Sequence, residues 1–204
     1  MVDKLKKISS RRIIAGTAMA LVALFVFSGL FSFATETAAR KNGSLSTQTM
    51  QAQDFAWSGI AVKDGAVITT DNDPQMIAEY TGKITSIKMY MESSVHPGEM
   101  TVYYTQPGDR AFSVHKRLWL VPVRGQPGWF MVETPVKNIT SLRIDPTMYA
   151  GNVLTFGDIV INSEKTFGEY FSVSYGDFFN LFLYTGVVSS VLKFLQEMIK
   201  KEFD

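Results

Sequence analysis

Few side chains in this sequence have the types and spacing that chemistry requires. Asp71-Asn72-Asp73-Pro74-Gln75 places two carboxylates two residues apart. It reads as the start of a calcium loop, as an acidic metal motif of a sugar-nucleotide transferase, or as an ordinary turn before a strand. The calcium loop lacks the later glycine and glutamate that would complete it. The turn is therefore the plainer reading; no cofactor is expected, and a structural calcium ion is the one alternative. Arg143 and Asp145 sit two apart in an alternating segment, so both should project from one strand face, where they pair or hold a polar ligand. Trp57, Tyr90, Tyr103, Tyr104, Trp119 and Trp129 offer flat faces with polar edges of the kind that stack on a sugar ring, or serve as core and cross-strand residues.

The chemistry available is narrow. There is no cysteine, which removes thiol nucleophiles, disulfides and thiolate metal sites together. The two histidines, His96 and His115, lie in unlike surroundings, too little for a zinc site or a histidine triad. Acid–base catalysis would need two carboxylates converging in a cleft, and nothing in the order of Asp54, Asp64, Glu92, Glu99, Asp109, Glu133 and Asp158 singles out a pair. The net charge of +1 argues against a nucleic-acid binder, which carries an excess of Lys and Arg.

The elements that must position these residues are of two kinds. Residues 1–12 carry Lys4, Lys6, Lys7, Arg11 and Arg12 against Asp3 alone, a basic cytoplasmic tail. The charge-free run 13–34 then has the length of a transmembrane helix or uncleaved signal anchor, with a cleaved signal as the rival. Thr, Ser, Ala and Gln dominate 35–53, which reads as a linker. Residues 54–165 break into short alternating segments around His96-Pro97-Gly98, Gln106-Pro107-Gly108-Asp109 and Gln126-Pro127-Gly128. The segments are Ala66–Thr70, Lys83–Met91, Glu99–Thr105, Val114–Val123, Trp129–Glu133, Ser141–Asp145 and Val153–Asn162. Such spacing predicts a mainly β unit of about eight strands, a sandwich or barrel. Over 166–204, the stretch Phe178 to Leu195 predicts a hydrophobic helix, spanning a membrane, lying in its interface or docking a partner.

Taken together, Asp73-Pro74-Gln75, Val102-Tyr103-Tyr104, Leu142-Arg143-Ile144-Asp145-Pro146, Gly151-Asn152-Val153 and Ile159-Val160-Ile161 carry a resemblance. The region Phe55 to Asn162 resembles the extracytoplasmic, lectin-like jelly-roll domain attached to bacterial membrane glycosyltransferases and cell-surface polysaccharide assembly proteins. The resemblance implies a jelly-roll β-sandwich outside the cell membrane, with carbohydrate-binding residues at Asp73, Gln75, Tyr104, Arg143 and Asp145. The chain lacks the transferase and polytopic channel that such domains accompany, so no enzymatic role carries over. What is left is an accessory subunit, with polysaccharide, the lipid bilayer and a polytopic glycosyltransferase or transporter as expected partners. The alternatives are a scaffolding subunit of a membrane complex and, more remotely, an exported hydrolase.

Overall fold

The computed structural model describes residues 9–173 and 175–202, so Lys4, Lys6 and Lys7 of the basic tail lie outside the described residues. The chain divides into two units, one within 1–39 and 165–204, the other Arg40–Glu164.

The first unit is built from two apolar helices, α1 (Ser10–Lys41) and α2 (Tyr175–Glu202). Both are long and apolar enough to cross a membrane. Their large apolar side chains stand mostly exposed, Phe27 at 68% and Phe182 at 77%. Gly29 of α1 lies against Phe171, where a Cβ would come within 2.6 Å of the ring. Phe33 meets Phe167 and Tyr170 edge-on, with ring centres 5.1 and 5.4 Å apart. At the other end, Ile13 and Ile14 of α1 share a groove with Ser189, Lys193 and Phe194 of α2. The two helices therefore run antiparallel.

The second unit is an antiparallel sheet of nine strands: β1 (Gln48–Met50), β2 (Ala56–Ser58), β3 (Ile60–Lys63), β4 (Ala66–Thr69), β5 (Gln75–Ser93), β6 (Met100–Thr105), β7 (Arg117–Pro122), β8 (Trp129–Asp145) and β9 (Val153–Ile161). The order is β3-β4-β9-β5-β8-β6-β7, with β1 on β9 and β2 on β5. β5 and β8 pair along nearly their whole lengths, but their register slips three times between Glu79 and Ser86, around Gly82 at φ 148. The slips bend both strands. The first half of β5 and the second half of β8 form one layer with β2, β6 and most of β7. The remaining halves join β1, β3, β4 and β9 in the other. Val121 and Pro122 of β7 return to β8 in that second layer, so the sheet folds over as a β-sandwich. Met76, Ile84, Ile87, Met89, Val102, Ile139, Leu142, Ile144, Ile159 and Ile161 fill the space between, each 1% exposed or less.

Two departures from the sequence reading have local causes. The stretch 35–53 is not a linker throughout. Ala, Glu, Arg and Lys continue α1 to Lys41, Gly43 at φ 75 follows the helix end, and Gln48–Met50 pairs with β9. Val114–Lys116 is a 3₁₀ turn, where the Ser113 hydroxyl accepts a hydrogen bond from the His115 amide, and only Arg117 onward is strand.

Buried asparagines tie off both ends of the sandwich. Where the chain leaves, Asn162 accepts from the Thr85 amide at 2.7 Å and donates to the Lys83 and Ser46 carbonyls. Arg40, where it enters, donates to the Asn162 and Ser163 carbonyls at 2.9 and 3.1 Å. At the opposite end of β9, the Asn152 side chain bonds Ser94, Val95 and Thr147 and its amide bonds Thr69, holding three loops together.

Candidate functional site

Alternation decides which side chains reach the open face of the first layer. Leu142, Ile144, Met76 and Val102 point into the core, so Arg143, Asp145, Gln75, Ile77, Thr101 and Tyr103 point out. Cross-strand register then lines them up. Ile77, Arg143, Tyr103 and Arg117 form one row across β5, β8, β6 and β7, while Asp145, Thr101 and Trp119 form the next.

Arg143 is the centre of the arrangement. Its Nε and Nη2 donate to the two carboxylate oxygens of Asp145 at 2.7 and 2.8 Å, and Nη2 also donates to Asp73 at 2.7 Å. Gln75 donates to the other Asp73 oxygen at 2.6 Å. Such bidentate, charge-assisted bonds fix the guanidinium plane. That plane lies 4.9 Å from the centre of the Tyr103 ring, and the Arg117 guanidinium lies 4.6 Å from that of Trp119. Trp119 remains 49% exposed. Burial pushes the Asp145 carboxyl above its usual range, although the Arg143 hydrogen bonds and charge and a bond to Thr101 pull the other way. Burial would lower the Arg143 guanidinium, but Asp145 and the Asp73 charge outweigh it and hold the group above its ordinary value. The result is a preorganised platform: two ring–guanidinium stacks, with an acid–amide chain at its edge. Both acids of the cluster are committed to one cation.

Of the residues singled out in the sequence, Asp73, Gln75, Arg143 and Asp145 come together here. Tyr104 does not. It packs against the core, and its neighbour Tyr103 takes the place beside Arg143. A one-residue shift along a strand exchanges the faces. Sequence reasoning also left out Arg117, although the register of two alternating strands was the signal that could have placed it. Trp57 is half-buried, its indole donating to the Ala52 carbonyl at 2.8 Å. Trp129 and Tyr90 meet on the other layer, ring centres 5.5 Å apart.

Asp71 and Asp73 shape their turn, the Asp73 amide donating to Asp71 at 2.9 Å. Among the described residues, no three histidine or acidic side chains gather as a metal ion would require. Of the other carboxylates, Asp54 and Asp158 both bond Gln51, the first its amide and the second its side chain, and Asp109 bonds the Lys116 ammonium.

No family model and no curated protein matches the sequence. Similar solved structures include a low-affinity xylan-binding module, CBM86, from Roseburia intestinalis (8% identity, TM-score 0.39, 57% of this chain and 95% of that one). A β-1,3-glucan-binding family 6 module from Bacillus halodurans matches at 15% identity and TM-score 0.37, over 57% and 96%. A family 6 carbohydrate-binding module from Clostridium cellulolyticum, in complex with xylose, matches at 10% and 0.39, over 57% and 97%.

Proposed function

We propose that the chain is a membrane-anchored, non-catalytic carbohydrate-binding protein that serves as an accessory subunit in assembling cell-envelope polysaccharide. The observation that carries the reading is the platform of Tyr103, Arg143, Arg117 and Trp119. A sugar ring presents an apolar face to an aromatic plane and hydroxyls at its rim, which the Asp73–Gln75 edge can accept and donate to. The anchor is the pair of antiparallel helices. Arg11 and Arg12 open α1, and Lys193, Lys200 and Lys201 lie toward the end of α2, against Arg40 and Lys41 in the last turn of α1, so the excess of positive charge lies at the end that holds the termini. The positive-inside rule then puts both termini in the cytoplasm and the β-sandwich outside.

The test is a titration of the full chain in lipid nanodiscs with fragments of bacterial cell-envelope polysaccharides, alongside cello-, xylo- and laminari-oligosaccharides. At least one should bind, and Trp119→Ala should weaken it fivefold or more, about 1 kcal/mol. Failure of every glycan, or indifference to Trp119→Ala and Tyr103→Ala alike, would overturn the assignment.

A second reading, a scaffolding subunit, draws on α2. Exposed Phe182, Phe194, Val187 and Val191 give it a broad apolar surface beyond the groove that it shares with α1, the kind on which membrane helices pack. Co-purification of a polytopic partner that is lost on deleting α2, with no glycan bound, would favour it.

A further inference from the structure

The second layer holds a cavity that the platform does not use. It is a shallow, largely open groove of about 580 Å³ between the Ser93–Gly98 loop and the Pro127–Gly128 turn, at the Asn152 end of the sandwich. Tyr90 supplies one wall and cannot shift readily. A Cβ on Gly128 would stand 2.6 Å from its ring and one on Gly157 2.9 Å, so both glycines are filled by the tyrosine. Trp129 meets the ring edge-on, and the Tyr90 hydroxyl donates to Glu92. Phe130 lies beneath, packed against the core, and Glu92 is exposed at the rim. His96 lines the cavity too. Its Nδ1 accepts from the Gly98 amide at 3.1 Å, which leaves Nε2 as the proton-bearing nitrogen of the neutral ring. Asn152 fixes the loop from beneath through Ser94 and Val95.

A fixed aromatic wall, a carboxylate acceptor and an imidazole donor, in a space of ligand size, match a neutral ring bearing several hydroxyls. An anionic ligand would face Glu92. We propose that this cavity is a second saccharide site, taking a neutral pyranose unit, on the opposite layer from Trp119. Its ligand class rests on the reading of the unit as carbohydrate-binding, whereas its geometry is separate from the platform. Two sites on opposite layers would let one molecule grip two glycan segments.

Each site has its own tryptophan reporter, Trp119 on the platform and Trp129 behind Tyr90. The experiment follows tryptophan fluorescence of the full chain in nanodiscs, with cellotetraose and laminaritetraose as probes, in Trp119→Phe and in Trp129→Phe, both made in a Trp57→Phe background so that one tryptophan remains. Trp119→Phe should keep a saturable response, and adding Glu92→Gln should weaken it fivefold or more. Response in Trp129→Phe alone would overturn the second site and leave the platform standing. Response in Trp119→Phe alone would leave the cavity and overturn the platform. Silence in both would overturn both, and a Trp119→Phe response indifferent to Glu92→Gln would overturn the cavity assignment.

Discussion

Asp145 lies on the open face of its layer and is nonetheless only 8% exposed, covered by the groups it binds. Burial raises its carboxyl above the ordinary value near ~3.9, so the folded chain holds the proton more tightly than the unfolded chain does. The stability this group contributes is complete below the ordinary carboxylate range and is lost as pH rises through the raised value. Asp145→Asn removes that dependence. In denaturant unfolding of the full chain from pH 4 to 7, the stability of the wild type relative to Asp145→Asn should fall as pH rises, and a rise would mean that Arg143 dominates. That Arg143 and Asp145 meet was legible in the sequence, because they share a strand face by spacing alone, whereas Asp73 and Gln75 came in only through the family resemblance. The choice between Tyr103 and Tyr104 was legible too, although Tyr104 was the one chosen: Met100 and Val102 mark the apolar face, Tyr104 shares it, and Tyr103 falls opposite with Thr101.

The elements were legible where alternation and turn residues agree, and obscure where a strand passes through its own breaker. Thr81-Gly82 looks like an interruption, yet β5 runs on through it, with Gly82 absorbing the bend. Pro135 looks like the end of a strand, yet β8 continues because the register slips between Glu133 and Val136, where a missing backbone donor costs nothing. β1, β2 and β3 are three or four residues long, too short for a pattern to register. The bend explains why one hydrogen-bonded sheet makes two layers. Gly82→Val should cost about 1–3 kcal/mol, because φ 148 is strained for a side chain. Gly65→Asn, at φ 78 in an open turn, should cost far less in the same thermal-unfolding measurement. Equal losses would show that the bend does not depend on glycine.

At the scale of the whole molecule, the proposed hairpin makes a sharp topological statement. Reporters fused to the two termini should lie on the same side of the membrane, and a single cysteine at Lys63→Cys should be labelled only from the other. Termini on opposite sides would reduce the anchor to one crossing. The Arg40 bonds to the Asn162 and Ser163 carbonyls bring the entrance and exit of the β-unit within a few ångströms of each other. A segment whose ends meet can be exchanged without respacing whatever flanks it. The stretch of gene encoding residues 40–164 is thus a natural cassette: recombination could replace it whole, giving the same pair of helices a different head.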